Sequence, residues 1–544
     1  MSMILPIITL LPLLGVLLCL VVPREEAGLH RGIGIGVALT TFLVSLLVLS
    51  GFDPAQMNHV VKWDWAASLG IHFHLGIDGI SLWLVLLTTF LMPVVLLSTV
   101  SAITEKVREF IIAVLVLETG MLGAFLALDL FVFYVFWEVM LIPMYFIIGI
   151  WGGERRLYAA IKFVLYTMVG SLLMLIAILY MYIKAHEATG QWSFAYDTMR
   201  NLILTPNEQL YLFIAFALAF CIKVPLFPLH TWLPDAHVEA PTAGSVILAS
   251  VLLKFGSYGL LRYAIPFFPS AVAQCAPYLQ WLAVIGVIYG SLVAFAQPDI
   301  KKLIAYSSVA HMGFVVLGLF MLNPRAVNGA IYQMLAHGIS TGGLFLSVGV
   351  IYERRHTRRL DEFGGLWQRM PYFAVTLLIF TMASVGLPGL SGFVGEFLVI
   401  LGTFSATRDS IGIPALVEHA KLLGALCAVG VVLGAVYMLW LFQRAMLGPL
   451  QNPLNKKLHD MTLREGLVML PMLVMAFWLG IYPSTFLSDI DPAVARTLAA
   501  FKEKNAAGPA TDAPRMLGAS SDAKPAEAKA AAVHPSANDA PTAK

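Results

Sequence analysis

The segment LYLFIAFALAFCIKVPLFPLH, residues 210–230, decides how this chain reads. Thirteen apolar residues lead into Lys223, and Pro225 and Pro228 follow at once. About 20 mainly apolar residues at ~1.5 Å each cross a bilayer, so the segment has the length of a membrane span. A lysine deep in hydrocarbon is expensive, and proline removes a backbone donor and clashes with the preceding turn. The segment therefore predicts a spanning helix that is broken beside a buried charge.

The rest of the chain agrees. Of 544 residues, 59% are apolar and 12% charged, where a soluble domain has about 45–50% and about 25%. Several globular domains are excluded. Lys and Arg total 34 against 32 acidic residues, a net charge of +2, which excludes a broad nucleic-acid footprint. Cys19, Cys221, Cys275 and Cys427 lie in apolar surroundings without C-x-x-C spacing. That pattern fits no disulfide framework, zinc ribbon or protein-ligated iron–sulfur cluster. The chain reads as an all-α polytopic membrane protein.

Fourteen spans are expected, beginning near Leu5, Ile33, Ile80, Phe110, Leu130, Ile161, Leu210, Thr242, Val272, Ile304, Asn328, Pro371, Glu418 and Glu465. The first lacks a basic n-region and a small-residue cleavage site, so it reads as a span and not as a signal peptide. Connections after odd-numbered spans carry 18 Lys and Arg, and those after even-numbered spans carry 7. Basic residues collect on the cytoplasmic side, so both termini are expected in the periplasm of a bacterial inner membrane. Residues 51–78 alternate in part (Val60-Val61-Lys62-Trp63, then Ile71-His72-Phe73-His74) and suggest an external hairpin. From Asn505 the last 40 residues hold 14 Ala, 5 Pro and no aromatic, which predicts a disordered tail.

Six titratable residues fall near mid-depth on six different spans: Glu138, Lys223, Lys254, His311, His337 and Glu396. An intramembrane ion is by default a functional group. Lys223 and Lys254 sit too deep to snorkel easily, whereas His311 and His337 also suit interhelical hydrogen bonding. Glu118 has no assigned role. Gly32-Ile33-Gly34-Ile35-Gly36 follows no strand, so helix packing explains it better than a nucleotide loop.

A second break, Val385-Gly386-Leu387-Pro388-Gly389, interrupts span 12. Paired broken helices point to an inverted repeat and an ion site. Glu138 and Lys223 are 85 residues apart, as are His311 and Glu396. Two inverted five-helix units are expected, spans 4–8 and 9–13, each with one broken helix. The expected division is 1–104 for the first three spans and the external loop, 105–265 and 266–448 for the two units, 449–488 for span 14, and 489–544 for the tail. The chemistry follows from environment: a lysine near a carboxylate holds its proton, and separation favours release. Histidine suits relay between such groups. Nothing resembles a nucleophile triad, a Walker loop or a metal-ligand cluster.

Phe136-Trp137-Glu138-Val139-Met140, the string from Lys223 to His237 with Glu239-Ala240-Pro241-Thr242, and Asp299 to His311 resemble the antiporter-like subunits of respiratory complex I, NADH–quinone oxidoreductase. The resemblance runs from span 1 through span 14. Trp137-Glu138 and Gly395-Glu396 favour the M branch; the distal branch has a Lys at the position of Glu396 and a long lateral helix. It implies proton pumping with Glu138, Lys223, Lys254 and Glu396 as carriers and His311 and His337 as connecting groups. It also implies no cofactor on this chain, with NADH, flavin and iron–sulfur clusters on partner subunits. The implied partners are other membrane-arm subunits, including two related antiporter-like ones, together with lipid and protons, and no nucleic acid. A subunit of a multisubunit sodium/proton antiporter, a hydrogenase-linked membrane complex and a structural scaffold stay open as alternatives.

Overall fold

A computed structural model describes residues 3–407, 412–511 and 513–518. Among the described residues, twelve helices are long and apolar enough to cross a membrane: Ile4–Val21, Ala27–Leu49, Leu82–Ala102, Val107–Leu126, Leu130–Trp151, Arg156–Thr189, Thr242–Phe267, Pro269–Phe295, Ile300–Phe320, Pro324–Arg355, Pro414–Met446 and Leu463–Ile481. Two further spans are broken. Span 7 consists of Pro206–Lys223 and Trp232–Glu239, and span 12 of Pro371–Val385 and Ser391–Phe404. The described residues thus hold the fourteen expected spans. Span 7 starts at Pro206, ahead of its apolar run, because Thr205 and Glu208 form a capping box there.

Burial differs widely among the spans. On span 6, Leu157, Ile161, Leu172 and Ile176 stay exposed, an apolar face suited to lipid or to another membrane helix. Spans 8, 10 and 11 are enclosed almost completely. Their polar residues must therefore find partners inside the protein, because unpaired polar groups in a dry interior are costly.

The all-α expectation has two exceptions among the described residues. Strand β1, Asn58–Ala66, pairs antiparallel with β2, Ile71–Ile77, with Trp63 opposite Phe73. This is the hairpin that the alternating pattern suggests. Gly70 turns the chain between them at φ +66°. A second pair joins β3, Leu202–Ile203, to β4, Arg515–Met516.

The tail boundary at 489 is corrected. Ser484–Ala506 is one continuous helix, and Phe486, Ile490, Ala493, Val494, Leu498 and Phe501 are buried on it. Those residues recur at the three-to-four spacing of an amphipathic helix, a signal submerged when the segment is judged by composition with the Ala/Pro stretch behind it. The expected tail from 519 onward lies outside the described residues. Buried Lys504 donates to the carbonyls of Arg200 and Phe267 at 2.6 and 2.8 Å, tying this helix to the end of span 8. Burial, reinforced by nearby Arg200, pushes its ammonium down to about 7.

A buried ion cluster makes the same connection. Asp78, just before span 3, bonds Arg262 of span 8 and Arg496 of the C-terminal helix. Burial opposes its charge, yet the two guanidiniums outweigh burial and hold the carboxyl below its usual range.

Candidate functional site

At the break in span 7, Lys223 is the last residue of the first half-helix. Proline at 225 and the turn after it free backbone carbonyls that hydrocarbon cannot satisfy. The indole of Trp232 donates to the carbonyl of Ile222 at 2.8 Å, and the amide of Leu226 donates to that of Cys221 at 2.9 Å. Lys223 itself is buried, and its Nζ has no hydrogen-bond partner. It lies over the faces of Trp137 and Phe163, 5.2 and 5.6 Å from the ring centroids. Ring faces carry negative potential, so they stabilise a cation without accepting its proton. Glu138, next to Trp137, is half-buried with Oε1 unpartnered. Glu138 is close enough for its charge to act on Lys223, without a direct hydrogen bond from the ammonium.

Span 8 crosses span 7 at this level. Gly256 makes the crossing possible: a Cβ there would lie 2.4 Å from the Phe220 carbonyl oxygen and 2.5 Å from the Val224 nitrogen. Two residues earlier, Lys254 follows a π-helical turn, Leu248–Leu252. Such turns in α-helices are frequent at functional sites. Lys254 Nζ bonds the carbonyl of Ala249 and lies 2.7 Å from His337 Nδ1 of span 11.

From Lys254 the titratable groups run in one line. The His337 and His311 rings are 5.7 Å apart, and His311 Nδ1 lies 2.7 Å from Glu396 Oε1. Ser384 Oγ of span 12 holds the other His311 nitrogen at 3.2 Å. The second Glu396 oxygen faces the break in span 12: a Cβ on Gly386 would lie 3.4 Å from Oε2. Gly386 and Gly389 take φ of +84° and +90° there, a left-handed backbone that glycine adopts without strain. Pro388 sits between them.

Of the six expected site residues, the fold joins Lys254, His337, His311 and Glu396, and leaves Lys223 and Glu138 as a separate pair close to the span 7–8 crossing. Sequence reasoning passed over Gln333, whose amide nitrogen donates to Glu396 Oε1 at 3.0 Å. Its signal is position: it lies four residues before His337, on the same face of the helix. It also passed over His237, fully buried against the Phe345 ring with neither ring nitrogen partnered. Glu118 is buried with both carboxyl oxygens unpartnered. Among the described residues no group of three or more His, Cys, Asp or Glu is placed to hold a metal ion. The arrangement suits proton transfer, with hydrogen bonds from Lys254 to His337 and from His311 to Glu396 and a ring contact between the two histidines, where His337 Nε2 has no partner.

The family model for the transmembrane part of NADH:quinone oxidoreductase and Mrp antiporter subunits matches residues 127–417. The chain is 48% identical over 506 residues to NADH-quinone oxidoreductase subunit M of Rhodobacter capsulatus, covering 91% of this chain and 96% of that protein. It is 44% identical over 492 residues to NADH-ubiquinone oxidoreductase chain 4 of Marchantia polymorpha, covering 89% and 95%. Among solved structures, a chain of respiratory complex I from Thermus thermophilus with bound NADH superposes with a TM-score of 0.81 at 34% identity, covering 91% of this chain and 99% of that one.

Proposed function

Since the chain belongs to the NADH:quinone oxidoreductase/Mrp antiporter transmembrane family, and within it to the subunit M group of NADH-quinone oxidoreductases, we propose the path that a proton takes through it. The chain is a proton-translocating membrane subunit of that oxidoreductase. The proton passes from Lys223 to Lys254, then through His337 and His311 to Glu396, and leaves along the break in span 12. The observation that carries this reading is the line of contacts from Lys254 Nζ to Glu396 Oε1, built from spans 8, 11, 10 and 12. Imidazole suits the middle of such a line because it takes up and gives up a proton near neutrality. Glu138 acts on Lys223 as a neighbouring charge: approach holds the proton on the lysine, and separation releases it toward Lys254.

Redox chemistry belongs to partner subunits, which hold NADH, flavin and iron–sulfur clusters. The membrane partners include two related antiporter-like subunits. Residues 105–265 and 266–448 act as inverted units, one break and one titratable pair in each. Lys223→Ala is expected to lower NADH-driven proton pumping by the assembled complex in inverted membrane vesicles roughly 100-fold, the scale of a lost proton-transfer group. Wild-type pumping by that variant in a fully assembled complex removes Lys223 from the path.

Both termini face the periplasm of a bacterial inner membrane in this reading, which the 18-to-7 distribution of basic residues supports. A periplasm-dependent reporter fused after Lys544 is expected to be active, and one that works only in the cytoplasm is expected to be silent. The opposite pair of results inverts the topology and with it the direction of the path.

A further inference from the structure

Gln333 stands at the carboxylate where the path ends. It is 2% exposed, its amide nitrogen donates to Glu396 Oε1 at 3.0 Å, and its own amide oxygen is buried without a partner. The seat is made to its shape. Opposite it, Gly395 has no side chain, and a Cβ there would lie 2.5 Å from Gln333 Oε1 and 2.8 Å from its Cα. Glu396 Oε1 also faces His311 Nδ1 at 2.7 Å, so when the carboxylate is ionised two donors converge on one oxygen while an acceptor beside them is idle. Buried amide oxygens are rarely left so.

The two protonation states of Glu396 ask for different partners. An ionised carboxylate only accepts hydrogen bonds, whereas a protonated one also donates. An amide offers a donor and an acceptor on opposite sides of one planar group. We propose that Gln333 is a two-position partner of Glu396, donating through Nε2 to the ionised carboxylate and, after a half-turn about Cγ–Cδ, accepting through Oε1 from the protonated one. This rests on the reading of Glu396 as a proton carrier.

In the transfer, the Nδ1–H bond of the His311 imidazolium breaks and an O–H bond forms on Glu396 Oε1. The imidazole and the carboxyl are both left neutral. While the amide N–H still faces it, the new hydroxyl has only His311 Nδ1 to donate to, and the proton returns. With the amide turned, the hydroxyl donates to Gln333 Oε1 and is held away from His311 until the proton departs toward Gly386. Gln333 is thus a positioning residue. The other groups facing the pair are Ser384 on His311 Nε2, His337 beyond His311, and Tyr437 and Cys427 of span 13, both close enough to feel the Glu396 charge.

The test is NADH-driven proton pumping by the assembled complex in inverted membrane vesicles, followed across pH. Gln333→Met keeps length and volume but has no amide, so packing is preserved and the switch is not. Pumping is expected to fall roughly ten-fold, the equivalent of about 1.4 kcal/mol, with an altered pH profile. Gln333→Glu accepts at any pH but donates only when protonated, so it is expected to pump only on the acid side of the wild-type profile. Wild-type rate and profile with Met overturn the proposal. If the Met variant does not assemble, the Glu variant decides: an acid-shifted profile supports the switch, and an unchanged profile overturns it. Glu396→Gln measured alongside separates the two layers. Wild-type pumping there removes the carrier role of Glu396, whereas impaired pumping there with an unaffected Met variant removes only the switch.

Discussion

With Glu396 replaced by Gln, NADH-driven proton pumping by the assembled complex is expected to fall roughly 100-fold, while assembly is kept. Gln preserves the shape and accepts the His311 and Gln333 hydrogen bonds that now meet at Oε1. It cannot take the proton that His311 would deliver, and a group that transfers protons is worth roughly 10²–10⁴-fold. Assembly is expected to survive because the change removes a buried charge instead of leaving one unpaired. Asp keeps the titrating group but is one methylene shorter, so it loses reach to His311 and should retain more activity than Gln. The opposite order, Gln pumping like wild type and Asp failing, makes Glu396 a packing and hydrogen-bonding element. The path would then leave by another route. Pumping is measured with quinone reduction in the same vesicles, so that loss of assembly is distinguished from loss of transport.

Substituting Lys254 is expected to have an effect of similar size. Lys254 is fully buried, and its Nζ bonds the Ala249 carbonyl and His337. Lys254→Met fills the space without a titrating group and should abolish pumping in an assembled complex. Replacing a buried charge by an apolar residue of similar volume is often neutral for stability. Lys254→Arg is the sharper variant. Arginine keeps the positive charge but does not release its proton in proteins. If Lys254 supplies only a fixed charge that holds spans 8 and 11 together, Arg serves and pumping persists. If Lys254 must hand a proton to His337, Arg fails as Met does. Failure of both is the expected result, and pumping by the Arg variant would falsify the carrier role.

The spans were legible because a bilayer imposes a length and a polarity that a one-dimensional pattern carries. The broken helices were legible for the same reason: proline and glycine beside mid-depth charges at Lys223 and at Glu396 have no place in an ordinary span. The helix Ser484–Ala506 was not, since its apolar stripe is diluted by charged and alanine residues and followed by an Ala/Pro-rich stretch. Nor were the π-helical turns of span 8 on either side of Lys254, which leave no compositional mark.

Within the site, the residue types and their depth were readable from the sequence alone. At ~1.5 Å per residue, position along a span gives height in the membrane, so Lys254, His311, His337 and Glu396 could be set at similar levels. Which of them touch was decided only by the tertiary structure. A helix turns about 100° per residue, and the direction in which each side chain points acquires a neighbour only when the spans pack. Close approaches at Gly256 against Phe220 and at Gly395 against Gln333 fix that packing. They place His337, later in sequence than His311, ahead of it in the line from Lys254 to Glu396. They also bring in Gln333, and they leave Lys223 facing Trp137 and Phe163 without a hydrogen-bond acceptor.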